Sequence, residues 1–191
     1  MSACKAALAI HGEFAKARQI ENHPLADFQV GIGLAHGPAI AGKIGSKIQP
    51  KIGVFGPVVN LASRLEGMTK ELRVPVLIDD TTGDYVLAHM PATQGRRRRL
   101  ARVRPYGMET PLTVYQLLPS QGDHTGITDE HIKTYESAVD AFTAGAWEDA
   151  LYLLDKLPVG DRAKDFLQIA IGLHNYAPPR NWDGVYEMSR K

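Results

Sequence analysis

The stretch FGPVVNLASRLEGMTK, Phe55 to Lys70, decides how the chain is read. Pro57 suits the first turn of a helix, where its missing N–H is no loss. Leu61, Leu65, Met68 and Leu72 recur at helical spacing and mark a buried stripe, so the pattern predicts a helix over 57–72. Asn60 and Arg64 stand four apart and share another face, one turn above each other. An amide and a guanidinium aimed the same way can hydrogen-bond a sugar edge and a phosphoryl oxygen. The same spacing also suits a plain solvated face.

Upstream, Ser2 to Ile20 carries Ala7, Leu8, Ile10, Phe14, Ala15 and Ala17 at three- and four-residue intervals and reads as a helix, broken by Glu21-Asn22-His23-Pro24. Phe28 to Leu34 reads as a strand whose Gly31 and Gly33 imply close backbone approach. Ala39 to Ile44 and Lys51 to Phe55 are short strands flanking a polar loop from Ser46. Downstream, Pro75 to Ile78 is a strand, its proline implying an edge or a strand start. Thr81 to His89 is a helix capped by Thr81 or Thr82. Arg96 to Val103 and Leu112 to Leu118 are two final strands joined around Pro105 to Pro111. The run Arg96-Arg97-Arg98-Arg99 lacks interleaved aromatics and reads as an exposed strand edge kept from aggregating by charge, in preference to a nucleic-acid or lipid patch.

Ser120 to Gly126 is polar and glycine-rich, which marks a boundary. The chain therefore divides into a unit over 1–119, a linker over 120–127 and a helical unit over 128–191. In the last, Ile132, Tyr135, Ala138, Val139 and Phe142 share one face of a helix capped by Thr128. Helices over 146–157 and 161–173 follow, with Trp147 and Trp182 as core anchors.

The totals exclude several classes. At 191 residues there is room for one full domain and a small second unit. Basic and acidic residues number 22 and 21, so bulk charge argues for neither nucleic acid nor an anionic membrane as partner. One cysteine, Cys4, permits no internal disulfide and no cysteine-based metal site, which fits a reducing cytosol. No apolar run approaches the ~18 residues of a membrane span. The seven histidines lack ligand spacing, and His36 reads as structural. Gly37 to Lys43 imitates a phosphate-binding P-loop, but Ile44 stands where a magnesium-binding Ser or Thr is needed.

Val30 to Ser46 (VGIGLAHGPAIAGKIGS) followed by Lys51 to Gly67 (KIGVFGPVVNLASRLEG) resembles the second half of a class III nucleotide cyclase domain, the adenylate/guanylate cyclase family. The elements follow the family's order: a glycine turn at Gly37, a Gly-x-x-Gly turn at Gly42 and Gly45, a short strand ending at Gly56, then Val59-Asn60-Leu61-Ala62-Ser63-Arg64-Leu65-Glu66. The resemblance implies an α+β, ferredoxin-like α/β sandwich with a mostly antiparallel sheet, incomplete at its N-terminal edge, ahead of a small all-α unit. It implies conversion of ATP or GTP to a 3′,5′-cyclic nucleotide and pyrophosphate. Asn60 would position the ribose and Arg64 would stabilise the α-phosphoryl transition state. Gly53, Phe55, Gly56 and Arg104 are the implied nucleotide-binding positions.

Three departures stand beside this. Gly53 occupies the base-reading position and has no side chain to read a base. Tyr106 replaces the lysine that meets the terminal phosphates, leaving Arg104 as substitute or as a solvated strand-end arginine. The two metal-binding aspartates of the family have no counterpart before Val30, where Asp27 stands alone. The two Mg²⁺ or Mn²⁺ ions would then take their ligands from a region or partner outside this chain, in a homodimer or heterodimer with another cyclase domain. The chain reads as part of a longer cyclase or as a truncated pseudo-cyclase serving as a regulatory dimerisation module. Missing strands would leave an unpaired sheet edge, prone to aggregation or dimerisation. The pattern Tyr135, Ala138, Phe142, Gly145, Trp147, Ala150 resembles a tetratricopeptide-type hairpin. Pro178 to Val185 resembles the tail of sensor-linked bacterial cyclases. The implied location is cytoplasmic, or the cytoplasmic end of a membrane-anchored sensor.

Overall fold

The computed structural model describes residues 1–44, 51–123 and 125–188. In chain order they form α1 (Ser2–Ala17), β1 (Ile32–Leu34), β2 (Ile40–Ile44), β3 (Lys51–Phe55), α2 (Pro57–Met68), β4 (Val76–Ile78), α3 (Asp80–His89), β5 (Arg96–Arg104), β6 (Leu112–Leu118), α4 (Asp129–Thr143), α5 (Trp147–Leu154), α6 (Arg162–Leu173) and β7 (Tyr186–Glu187). The class is mixed α+β with a central sheet, as expected. Gly45, the polar loop over 46–50 and His124 of the expected linker lie outside the described residues.

Strand β4 shows how the layers arise. Successive side chains on a strand point to opposite faces. Leu77 joins a core with Leu65, Met68 and Leu72 of the α2 region and with Tyr135, Phe142 and Phe166 of the C-terminal helices. Val76 and Ile78 join a second core with Cys4 and Ala7 of α1 and Val86 and Met90 near α3. Helices therefore cover both faces of one sheet of order β1-β4-β6-β5-β7. Pro75 marks a strand start, because β4 is internal.

The close approach expected at the glycines is present. A Cβ on Gly33 would stand 2.2 Å from the Ala62 carbonyl oxygen and 2.4 Å from the Glu66 nitrogen. One on Gly31 would stand 2.2 Å from Thr69 Oγ1. Only residues without a side chain let α2 lie this close on β1.

The expectation of a mostly antiparallel sheet needs correction. β4–β6 and β5–β6 are antiparallel, but β1–β4 and β5–β7 are parallel. β2 and β3 form a separate antiparallel hairpin, and placing residues 40–44 in a strand removes the P-loop reading. β7 interrupts what was expected to be an all-helical C-terminal run. It covers the end of the free edge of β5, at Val103 and Arg104, with the Met188 amide donating to the Arg104 carbonyl at 3.0 Å.

The arginine run is the largest correction. β5 pairs with β6 along the arginine run and with β7 at Val103 and Arg104, and Arg96 and Arg98 are buried. Arg98 donates to both oxygens of Asp161, at 2.5 and 2.9 Å, and to Gln116 Oε1 at 2.6 Å, with its guanidinium 4.3 Å above the Tyr135 ring. Arg96 donates to Asp129 at 2.8 Å and to the carbonyls of Pro119 and Ile127. Arg99 reaches Asp140 at 2.6 Å and lies beside Glu136, whose carboxylate accepts from its backbone amide. Arg97 faces the other layer, on Asp84 of α3 at 3.0 Å and over Tyr115. Carboxylates 13 to 63 residues away from the arginines neutralise the run, and no local pattern announces them.

Smaller differences have local causes. α1 ends at Ala17, and turns bonded Gln19 to Lys16, Ile20 to Ala17 and His23 to Ile20 replace the expected last turn. The strand expected from Phe28 begins at Ile32 because the Phe28 amide still closes a turn on Leu25. α2 ends at Met68, with single turns continuing to Leu72. α3 is capped by Asp79, whose carboxylate accepts from the Thr82 amide at 3.0 Å, so neither Thr81 nor Thr82 is the cap. Thr128 caps α4 as expected, in a reciprocal box closed by His131. Trp147 is buried, and the Trp147 and Trp182 indoles both donate to the Phe142 carbonyl.

Removing one partner of the Arg98–Asp161 pair leaves a buried charge uncompensated. Asp161→Ala is expected to cost about 3–5 kcal/mol in denaturant unfolding. The double variant Arg98→Met/Asp161→Leu is expected to recover most of that loss.

Candidate functional site

Gly56 opens the site. Its φ of +147° is open to glycine, and a Cβ there would stand 2.9 Å from the Pro38 carbonyl oxygen. The β2–β3 hairpin can therefore fold back directly onto the first turn of α2. In the hairpin Gly53 pairs with Gly42 and Phe55 with Ile40. Neither glycine supplies a recognition side chain. Ile40, Ile52, Val54, Phe55 and Val59 all remain exposed, an apolar concentration around the hairpin and the first turn of α2.

Asn60 and Arg64 follow on α2, one turn apart as expected. Asn60 is exposed, and its side-chain amide makes no hydrogen bond among the described residues. Arg64 is half-buried and donates from Nη1 to the Tyr106 carbonyl oxygen in the β5–β6 loop. Its guanidinium lies against Gly107, where a Cβ would stand 3.7 Å from Nη1. The φ of +73° at Gly107 aims the loop back at α2. Arg64 and the Arg104–Gly107 stretch, four decades apart in sequence, thus meet.

Arg104 is held differently. It pairs with Glu187 of β7, lies 3.8 Å from Asp183, and donates from Nε to the Glu109 carbonyl at 3.1 Å. Carboxylates of the C-terminal segment, which sequence reasoning did not connect to this arginine, thus set its direction. Beside them Tyr186 donates to Glu71 Oε1 at 3.1 Å and meets Phe166 edge-on. Burial, followed by the nearby Glu71 charge, pushes the Tyr186 phenol up to about 12. His36 is structural in its surroundings: its backbone amide faces Asp79 Oδ2 at 3.4 Å, next to the cap of α3.

The implied ions can be tested against the side chains present. Among the described residues no three or more His, Cys, Asp or Glu side chains converge on a point that could hold a metal. Among them, too, no helix is long and apolar enough to cross a membrane.

Residues 2–110 match the family described as Adenylate and Guanylate cyclase catalytic domain. Over 119 residues the chain is 30% identical to Adenylate cyclase 1 of Rhizobium meliloti (strain 1021), covering 61% of this chain and 17% of that protein. Over 84 residues it is 32% identical to Soluble guanylate cyclase 89Da of Drosophila melanogaster, covering 44% of this chain and 11% of that protein. The solved structure of a bacterial light-regulated adenylyl cyclase aligns at 26% identity and a TM-score of 0.46, over 58% of this chain and 53% of that one. The chain thus spans 17% and 11% of the length of these two curated relatives.

The Tyr186 shift gives a pH dependence. A phenol whose pKa is raised from 10.0 to about 12 on folding contributes stability that is complete below pH 10 and is lost as pH rises through 12. Tyr186→Phe is expected to flatten the fall in thermal midpoint over that window, measured by circular dichroism at matched ionic strength.

Proposed function

Because the chain belongs to the adenylate and guanylate cyclase catalytic-domain family, we propose that it forms the ribose-orienting, transition-state-stabilising half of a nucleotide-cyclising site in intracellular signalling. The substrate is ATP or GTP, the products are the 3′,5′-cyclic nucleotide and pyrophosphate, and the second half of the site comes from another cyclase domain in a homodimer or heterodimer. The observation that carries this reading is the shared face of α2, where Asn60 presents an amide with no intrachain partner among the described residues beside the Arg64 guanidinium.

The roles follow from the chemistry of those groups. The ribose 3′-oxygen attacks the α-phosphorus, the bond to pyrophosphate breaks, and the 3′-hydroxyl proton leaves. Asn60 holds the ribose by donating to and accepting from its oxygens, which fixes the attack line. Arg64 keeps N–H donors beyond the one spent on Tyr106 and places its charge where negative charge grows on the α-phosphoryl oxygens. Gly53, Phe55 and Gly56 form the backbone wall of the nucleotide pocket. Arg104 is the cation for the departing phosphates only when released from Glu187 and Asp183. The two Mg²⁺ or Mn²⁺ ions of the family reaction would take their ligands from a region or partner outside this chain. The exposed apolar hairpin supplies the surface on which the two domains meet. A cytoplasmic location follows from the substrate.

A second reading is favoured by the same geometry. Arg64 is tied to a carbonyl, Arg104 is tied to tail carboxylates, and the described residues hold no metal cluster. On that reading the chain is a pseudo-cyclase that dimerises and regulates, with its helical tail as a docking surface of tetratricopeptide type.

The deciding assay mixes this chain with a cyclase domain that keeps its aspartates but carries Ala at the position matching Arg64. With Mn²⁺ and either ATP or GTP, cyclic nucleotide is expected from the mixture and not from either protein alone. Arg64→Ala in this chain is expected to lower the mixture's rate by about 10²–10³-fold. A folded heterodimer that makes no product would establish the regulatory reading instead.

A further inference from the structure

At the opposite end of α2 from Asn60 lies a second concave site. A cavity of about 450 Å³ opens between α1, the residues leading into β1, the turn after α2 and the start of α6. Arg18, Lys70, Arg73 and Arg162 line it, with His11 beside them. Asp165 is the carboxylate that answers them: its Oδ2 accepts from Arg162 Nε at 2.9 Å and from Arg73 Nη1 at 3.4 Å. Arg18 spends one N–H on the Phe28 carbonyl at 3.0 Å, and Lys70 has no ion pair among the described residues. Four permanent cations against one carboxylate leave a surplus of positive charge in a chain whose charges otherwise nearly cancel.

Two features make this more than a basic surface. Arg73 has a φ of +56°, a backbone conformation unfavourable for a residue with a Cβ, and its side chain is thereby brought to the cavity wall. Both Arg73 and Arg162 keep guanidinium N–H groups beyond those given to Asp165, arranged in the planar forks that match phosphate oxygens. A single phosphate carries about −1.5 to −2 charges and would leave part of the surplus unmet. A diphosphate or larger anion matches it, and the volume lies within the range of small-molecule sites.

We propose that this cavity is a binding site for a diphosphate-bearing anion, separate from the cyclising site and independent of it. Its walls come from α1, the residues leading into β1, the turn after α2 and the start of α6, so an occupant bridges the N-terminal elements to the C-terminal helices and stabilises the folded chain by linkage.

The test is isothermal titration of the whole chain with inorganic pyrophosphate in the absence of divalent metal, alongside thermal melts. Saturable binding and a raised melting midpoint are expected. Lys70→Ala and Arg162→Ala alter exposed side chains and are each expected to weaken binding about tenfold, the effect of losing one charged hydrogen bond. Arg73→Gly removes a cation while relaxing the left-handed backbone, so it is expected to lose binding without melting earlier. Arg104→Ala is expected to bind as the parent does, which separates this cavity from the cyclising site. Absence of binding, equal binding by all the cavity variants, or loss confined to Arg104→Ala would overturn the assignment. Inorganic phosphate binding as tightly as pyrophosphate would overturn the diphosphate class.

Discussion

The structure depends on a guanidinium sealed inside it. Arg98 and Asp161 have side chains only 1% and 2% exposed, where an isolated charge could not persist. Each is tolerated because the other is there in two-point contact, with Gln116 accepting a further N–H and the Tyr135 ring lying under the cation. Of the Arg98 guanidinium nitrogens, Nε is buried without a hydrogen-bond partner. Asp161 also accepts from the Ala163 amide at the start of α6. One carboxylate therefore starts a helix and neutralises a strand in the other half of the chain. Burial drives the association of tail and sheet, and the ion pair fixes which register is acceptable.

From β5 the constraint runs to the candidate site. The strand that carries Arg98 ends at Arg104, which Glu187 of β7 holds from the tail side. Arg104 in turn donates to the Glu109 carbonyl across the β5–β6 loop, and that loop presents the Tyr106 carbonyl to Arg64. On the other side of Arg64, Gly31 and Gly33 let α2 settle on β1 at backbone contact distance. Sheet, loop and tail thus all contribute to where one half-buried arginine points.

Much of the local structure was legible in the sequence, because its causes are local. Pro57 and the leucine stripe mark α2, Gly33 marks a close approach, Thr128 marks a helix start, and the four-residue spacing puts Asn60 and Arg64 on one face. Arg96 to Arg99 were misread because their meaning lies in Asp129, Asp161 and Asp140, which no spacing rule connects to them. β7 was missed for the same reason: two residues form a strand only because β5 offers an open edge. The Arg64–Tyr106 contact uses a backbone carbonyl, which no residue type announces.

The central claim is that the C-terminal helices and the sheet form one cooperative body hung on β5. Native-state hydrogen exchange measures it most directly, by comparing the amides of β5 around Val103 with those of α4 around Val139. The account predicts that both exchange only through a shared global opening, with equal free energies and equal denaturant dependence. Opening of α4 at markedly lower free energy, with β5 still protected, would contradict it.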